Sequence, residues 1–177
     1  MRTSSRRGVS LVELMVAMAL SGLVLGGVLG TFLFITRSSV RISNYSTMEQ
    51  QTARGLELLG RELRMAQSIV TSGTPITQIT LAVPTSGSST YSVAYTYNST
   101  ARTLSRQQAG HAAAVIVNDI VPGAFAFQRY DYDQQPAVND YDTKQLQLTM
   151  TIAPETKGLV ATASKRVISS RFVLRNR

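Results

Sequence analysis

The chain has 177 residues, no Cys, one His and a formal net charge of +8. This length corresponds to one modest domain, and the lack of Cys excludes a disulfide scaffold, a thiolate metal site and cysteine catalysis. The single His111 excludes any metal site or proton relay that needs two imidazoles. The basic composition is typical of nucleic-acid binders, but the apolar residues are spread so unevenly that each segment needs its own interpretation.

A short basic segment precedes a long apolar one at the N-terminus. Residues 1–8 contain Arg2, Arg6 and Arg7, and the residues from Leu14 to Ile35 carry no charge. As a helix, this uncharged run spans roughly 33 Å, about the hydrocarbon thickness of a bilayer. It is longer than the apolar core of a secretory signal peptide. We therefore expect residues 9–35 to form a membrane helix, with residues 1–8 in the cytoplasm by the positive-inside rule.

Glu13 is the one charge inside the apolar segment. A carboxylate in a membrane helix is costly and indicates a functional site, and the residues that follow it up to Ile35 contain no cation. If the chain is cut after Gly8, the new amino terminus at Val9 lies four residues before Glu13, on the same helix face. Pairing of this amine with Glu13 of a neighbouring chain would fix the axial offset between subunits.

Residues 6–14 read RRGVSLVEL, and this segment resembles the class III signal of type IV prepilins and type II secretion pseudopilins. The shared features are a basic leader, Gly at the cut, an apolar first residue and Glu at the fifth mature position, before a long apolar helix. Val9 replaces the usual Phe. The resemblance implies that a prepilin peptidase of the bacterial inner membrane cleaves after Gly8 and methylates the Val9 amine. It also implies contacts with other major and minor pilins or pseudopilins and with an inner-membrane assembly platform.

Three glycines recur every four residues in the apolar helix, at Gly22, Gly26 and Gly30. Such small-residue spacing lets like helices approach closely in a membrane or a bundle. The alternative explanation is that these glycines have no packing role, because glycine is common in membrane helices generally. We predict that these residues mark a packing face.

Residues 36–70 are predicted to continue the helix out of the membrane, because apolar residues recur at steps of three and four. The segment LGRELRMAQSI at 59–69 also resembles the corresponding helix of W-class minor pilins and J-class minor pseudopilins. The predicted apolar stripe consists of Met48, Thr52, Leu56, Leu59, Leu63, Ala66 and Ile69. The charges on the other side, Arg54, Glu57, Arg61 and Arg64, are expected to be solvated.

From residue 71 onward the apolar residues alternate with polar ones, as in half-buried strands. Strands are predicted near 79–83, 91–97, 102–106, 113–117, 124–130, 146–152 and 168–174. One long helix followed by antiparallel strands predicts an α+β fold with the helix packed on a sheet. By resemblance, this architecture is pilin-like. The segments 117–131 and 146–152 are also similar to the W/J branch, and the retained Glu13 distinguishes the chain from the K-class tip subunit.

The loop from Asp131 to Asp142 is rich in acidic residues. Asp131, Asp133 and Asp142 occupy positions 1, 3 and 12 of a calcium-loop register. However, Pro136 replaces the turn glycine and an Asp stands where a bidentate Glu is usual. A calcium site here is therefore the alternative to a plain solvated loop.

A basic cluster closes the chain, and strand alternation places Lys165, Arg171 and Arg175 on one face. This face either protects a strand edge by charge or binds an acidic subunit or DNA. No catalytic constellation stands out, so we expect no enzyme. The sequence favours a minor pilin or pseudopilin that initiates or caps a type IV pilus or secretion pseudopilus. The alternatives are a DNA-binding minor pilin of a competence pilus and a plain membrane-anchored extracytoplasmic domain.

Overall fold

A computed structural model describes residues 8–85, 89–154 and 164–175. The predicted leader therefore lies outside the described residues except for Gly8. The chain divides into two compact units, Met1–Val40 and Arg41–Arg177. The first consists of the N-terminal part of helix α1, which extends over Leu11–Met65. The second contains the rest of α1 and all of the strands.

In the part of the chain that the structure describes, eight strands follow the helix in two antiparallel sheets. The five-stranded sheet has the order β1-β2-β3-β4-β5, and the three-stranded sheet has the order β6-β7-β8. The strands are β1 (Ser68–Ser72), β2 (Gln78–Pro84), β3 (Thr90–Asn98), β4 (Thr103–Gln108), β5 (Ala114–Val117), β6 (Ile120–Tyr130), β7 (Gln145–Ile152) and β8 (Arg166–Val173). The α+β, pilin-like architecture with a long helix packed on antiparallel strands is confirmed.

The predicted alternation in the strands is confirmed by burial. Leu81 of β2 lies opposite Val93 of β3, and both are completely buried. In the other sheet, Met150 of β7 lies opposite Ile168 of β8, and both belong to the core. The period-two pattern thus identified the inward face of each of these strands.

The helix ends earlier than predicted, at Met65 rather than at residue 70. Residues 68–72 instead form β1, which pairs with β2, and the amide of Gln67 already donates to the carbonyl of Ala82 at 2.8 Å. Ala66 and Ile69 are both buried, as predicted for a helical stripe. However, a turn followed by a strand buries the same two residues. The pairing of β1 with β2 stabilises this turn and strand over a longer helix.

Helix α1 approaches both sheets closely at two glycines. A Cβ atom on Gly55 would lie 3.2 Å from Cγ2 of Val117 on β5, and one on Gly60 would lie 2.7 Å from Cε1 of Phe172 on β8. Around these contacts lie the buried helix residues Met48, Thr52, Leu59, Glu62 and Leu63. The core therefore forms where the second half of α1 crosses the inward faces of the two sheets.

Arg102 connects the sheets. Its guanidinium donates to the carbonyl of Ile120 at 3.2 Å and to that of Ala153 at 2.7 Å. The backbone adds a second tie, from the amide of Ile120 to the carbonyl of Arg102 at 3.0 Å. We predicted one sheet, and the two-sheet arrangement corrects that expectation. Asp119 turns the chain between the sheets in a left-handed conformation (φ 60°), which Asp tolerates better than most residues.

Candidate functional site

The predicted processing segment immediately precedes the helix. Gly8, Val9 and Ser10 are exposed and non-helical, and α1 begins at Leu11. A Cβ atom on Gly8 would meet nothing within 4 Å among the described residues. The fold of this part of the chain therefore places no steric demand for glycine at position 8.

Glu13 lies in the first turn of α1 and is exposed. Its backbone amide donates to the hydroxyl of Ser10 at 3.2 Å, so Ser10 caps the helix and Glu13 occupies the third helical position. This is the Ser-x-x-Glu pattern of a capping box, which the sequence contained and which our sequence analysis missed. A carboxylate at the positive end of a helix is also stabilised by the helix dipole. Within residues 8–85, 89–154 and 164–175, Glu13 forms no ion pair.

The apolar part of α1 meets the requirements of a lipid environment. It contains an 18-residue window with a mean hydropathy of 2.1, none of which is buried against the described chain. The hydroxyls of Ser21, Thr31 and Thr36 donate to backbone carbonyls one turn earlier, at 2.7 to 2.9 Å. These donors are thus satisfied inside the helix, as a bilayer requires. By length and composition α1 is able to cross a membrane.

The three predicted packing glycines lie on this exposed helix. A Cβ atom on Gly22, Gly26 or Gly30 would meet no other atom within 4 Å among the described residues. Close packing at these positions within the described chain is therefore absent, in contrast to Gly55 and Gly60. Their role as a packing face between subunits stays a prediction.

A family model for the prokaryotic N-terminal methylation motif matches residues 3–29. The match includes Gly8, Val9 and Glu13 as well as the first part of α1. The chain carries a type IV prepilin-like signal. Together with the long apolar helix, this signal fits a single-pass, membrane-anchored, type IV pilin-like protein. No curated protein matches the chain in sequence, and the family match does not extend into the sheets.

The second unit, Arg41–Arg177, is here called the globular unit. It contains a buried ionic cluster that the sequence patterns did not predict. Glu62 of α1 is 1% exposed. It accepts hydrogen bonds from Nε of Arg106 at 3.0 and 3.2 Å, from Nη2 of Arg106 at 2.5 Å and from the hydroxyl of Tyr95 at 2.5 Å. Burial and the bond to Glu62 raise the pKa of Tyr95, and the bond to Glu62 raises the pKa of Arg106. The cluster fixes α1 against β3 and β4 with its carboxylate fully bonded.

The acidic loop is organised by a different aspartate from those predicted. Asp140 accepts from the amide and hydroxyl of Thr71 at 3.0 and 2.7 Å, and from Nη1 of Arg129 at 2.5 Å. Burial alone would raise the pKa of Asp140, but these donors outweigh it and hold the pKa below its ordinary value. The loop is thereby tied to β1 and β6.

The described residues bring together no group of three His, Cys, Asp or Glu side chains that could hold a metal ion. Asp131, Asp133 and Asp142 all border one shallow groove, which Lys144 also lines, and Asp131 accepts a hydrogen bond from the amide of Gln135 at 2.8 Å. Although they border the same groove, these three described aspartates do not form a group that could hold a calcium ion.

The remaining predicted residues lie on the surface. His111 is exposed in a turn after β4. Arg171 of β8 is exposed, as are Lys165 and Arg175, which lie just before and just after this strand. Arg171 packs over the ring of Tyr130 at 4.1 Å and donates to Oε1 of Gln147 at 2.9 Å. Lys157 and Arg177, which also belong to the predicted basic cluster, lie outside the described residues.

Proposed function

We propose that this chain is a minor subunit that helps to initiate or cap a type IV pilus or a type II secretion pseudopilus. The observation that carries the proposal is the methylation motif matched at residues 3–29. Its Gly8, Val9 and Glu13 lie directly at the start of a helix long enough to cross a bilayer. The minor role rests on the resemblance of the segments 59–69, 117–131 and 146–152 to W-class minor pilins and J-class pseudopilins.

Processing by a prepilin peptidase is the first step of the proposed function. The enzyme cuts after Gly8 on the cytoplasmic side and methylates the amine of Val9. The exposed, non-helical conformation of Gly8 to Ser10 supports this step, because a protease binds extended backbone more readily than helix. Methylation keeps the positive charge of the amine.

Glu13 then supplies the interaction that positions the mature subunit. An unpaired carboxylate in lipid or in an apolar helix bundle is costly, and the described chain offers Glu13 no cation. The methylated amine of a neighbouring subunit satisfies this charge and fixes the axial offset. Gly22, Gly26 and Gly30 let the helices approach closely around this pair.

The orientation follows from the basic leader. Residues 1–8 face the cytoplasm, the apolar part of α1 lies in the inner membrane, and the globular unit lies in the periplasm before the assembly platform extracts the subunit. The protein acts through contacts with pilins or pseudopilins and performs no catalysis of its own.

Replacement of the cleavage-site glycine tests the proposal. Gly8→Ala adds only a methyl group, so an unprocessed and slower-migrating chain is expected on a gel of membrane extracts. Gly22→Ala is the matched control, because its Cβ also meets no described atom, and normal processing is expected there. Normal processing of Gly8→Ala would contradict the proposed function.

A further inference from the structure

The outer strands of the two sheets differ in how far the described chain covers them. They are β1 and β5 in one sheet and β6 and β8 in the other. On β1 the amide of Thr71 donates to Asp140 at 3.0 Å, and on β6 the amide of Phe127 donates to the carbonyl of Ile76 at 3.3 Å. Strand β5 has four residues and lies against α1 at Gly55. Strand β8 is the outer strand that the described residues leave open.

The backbone of β8 presents a row of donors and acceptors on its outer side. The strand pairs with β7 without a register shift, and the amide of Leu174 continues this ladder to the carbonyl of Lys144 at 2.9 Å. Backbone groups of an antiparallel strand point alternately to its two sides. The groups that point away from β7, here called the β8 edge, belong to Val167, Ser169, Arg171 and Val173. In the part of the chain that the structure describes, they have no hydrogen-bond partner.

The side chains of the β8 edge are accessible as well. Val167 and Val173 are 67% and 57% exposed, and the strand contains neither Pro nor a bulge. An edge of this kind pairs readily with another strand unless charge prevents it. Charge of one sign on an edge disfavours strands of the same sign and favours strands of the opposite sign. The charges around β8 therefore decide which strand it accepts.

The charges on β8 and at its ends are positive. Arg171 lies within the β8 edge, and Lys165 and Arg175 are exposed at its two ends. The neighbouring strand β7, with the sequence QLQLTMTI, has no charged residue. The outer face of this sheet thus provides no acid that compensates the cations.

The acids on other elements near β8 leave this excess in place. Glu49 of α1 lies 3.6 Å from Arg166 and so compensates one further cation of the strand. Beyond the end of β8, Asp133 and Asp142 border the groove that Lys144 also lines. Within the described ranges, neither of these two acids forms an ion pair with a residue at the end of β8. The β8 edge therefore favours a negatively charged partner.

Arg171 is positioned to receive a carboxylate. Its guanidinium packs over the ring of Tyr130 at 4.1 Å, and its Nη2 donates to Oε1 of Gln147 at 2.9 Å. A guanidinium has five N–H donors, and Arg171 forms no ion pair with the described residues. The remaining donors are available for charge-assisted hydrogen bonds to an acid on an adjacent strand.

We propose that the β8 edge binds an extended acidic segment of a neighbouring subunit, which joins the three-stranded sheet as a fourth strand. The backbone of the segment pairs with the β8 edge. An Asp or Glu lies opposite Arg171, and apolar residues lie opposite Val167 and Val173. For an antiparallel segment the expected pattern is apolar-x-acidic-x-polar-x-apolar. One segment fills the edge, so this contact joins one neighbour, which is compatible with a minor subunit.

Charge and backbone geometry favour this occupant over two others. A second copy of β8 would bring the cations of both chains together along one edge, which is destabilising. DNA would contact the cations through its phosphates, but it would leave the backbone groups of the edge without partners. The inference deepens the proposed function, on which it rests for the presence of neighbouring subunits. Its test requires neither processing nor filaments, so either proposal can fail alone.

Binding of synthetic peptides to the full-length protein in nonionic detergent tests the backbone pairing. The fluorescein-labelled peptide Val-Thr-Glu-Ile-Thr-Thr-Val places its Glu opposite Arg171, and fluorescence anisotropy measures its affinity. In an antiparallel pair, its third, fifth and seventh amides face β8. N-methylation of these three amides is expected to weaken binding about tenfold, whereas N-methylation of the second, fourth and sixth is expected to weaken it by less than about threefold.

Two results with these peptides overturn the proposal. One is the absence of saturable binding of the parent peptide. The other is equal affinity of the two methylated peptides, since strand addition requires the amides on one side only. Salt-sensitive binding of duplex DNA together with equal affinity of the methylated peptides would instead identify the basic face as a nucleic-acid site.

Variants of the protein provide the second arm. Arg171→Glu is expected to weaken the parent peptide about tenfold and to favour a peptide with Lys in place of Glu. Ser169→Pro removes an N–H of the β8 edge without removing a bond to β7, and we expect about tenfold weaker binding. Ser169→Ala is the matched control, because it loses the same hydroxyl but keeps the N–H.

The variants contradict the proposal if Ser169→Ala weakens binding as much as Ser169→Pro. They also contradict it if Arg171→Glu does not reverse the preference between the Glu and Lys peptides, a reversal that general misfolding could not produce. Unchanged near-UV circular dichroism of the tyrosines verifies the fold of each variant.

Discussion

Replacement of Arg106 by Met tests the buried ionic cluster. The guanidinium supplies three of the four hydrogen bonds to Glu62, and the hydroxyl of Tyr95 supplies the other. Arg106→Met therefore leaves a buried carboxylate with one donor and no counter-charge. Removal of one partner from a buried pair costs about 3–5 kcal/mol. The Arg106 side chain is 18% exposed, so water can reach the vacated site. We therefore expect Arg106→Met to lower the free energy of unfolding by about 3 kcal/mol, at the low end of this range.

The double variant Glu62→Met/Arg106→Met separates the cost of an unpaired charge from the loss of packing. It removes both charges, so that the buried Tyr95 hydroxyl loses its acceptor Glu62. This unpaired hydroxyl is expected to lower the free energy of unfolding by about 1–3 kcal/mol. The double variant is thus expected to be at least as stable as Arg106→Met alone. A simple sum of two independent packing losses would make it less stable.

Urea unfolding of the full-length protein in detergent measures these differences. The chain has seven Tyr and no Trp, so near-UV circular dichroism of the tyrosines reports on the globular core. Arg54→Met is the matched control, since this exposed arginine forms no ion pair with the described residues, and a change within about 0.5 kcal/mol is expected. If Arg106→Met matched this control, or if the double variant were less stable than Arg106→Met, the reasoning would be refuted.

Three further predictions concern other parts of the chain. Gly60→Ala should destabilise the fold by about 1–3 kcal/mol, because its Cβ would lie 2.7 Å from the ring of Phe172; Phe172→Leu should recover part of this loss in urea unfolding. Asp140→Asn should cost about 1 kcal/mol near neutral pH. Because folding lowers the pKa of Asp140, this contribution is present above its ordinary value of 3.8 and is lost as the pH falls through the lower folded value, so unfolding curves of variant and parent should converge in acid. Glu13→Val should be processed but absent from sheared filaments, and normal incorporation would contradict the pairing of Glu13 with a neighbouring amine.

Local periodicity predicted most of the fold because each pattern depends on near neighbours in the sequence. The alternation of Leu146, Leu148, Met150 and Ile152 identified β7, and all four side chains are buried. The same logic failed at the end of α1, since the burial of Ala66 and Ile69 fits both a helix and the start of a strand. The choice between them depends on pairing of β1 with β2, which is information from residues farther along the chain.

The two clusters in the globular unit show a similar limit. Glu62 lies seven residues after buried Gly55 and three after Leu59, so its place on the inward helix face was visible from spacing. Its partners Tyr95 and Arg106 lie 33 and 44 residues away, and only the tertiary fold brings them together. In the acidic loop, composition suggested a calcium site, whereas the structure uses Asp140 to bind Thr71 and Arg129. At the N-terminus, by contrast, Gly8, Val9 and Glu13 formed a local pattern, and the family match at 3–29 includes all three.

The central claim is that the mature subunit begins at Val9 with a methylated amine and a free Glu13 for its neighbour. Mass spectrometry of the N-terminal peptide, from protein purified out of membranes that contain a prepilin peptidase, tests it most directly. The expected result is a peptide that begins at Val9 and carries one methyl group on its amine. A peptide that still contains residues 1–8, or one that begins after residue 35, would contradict the account.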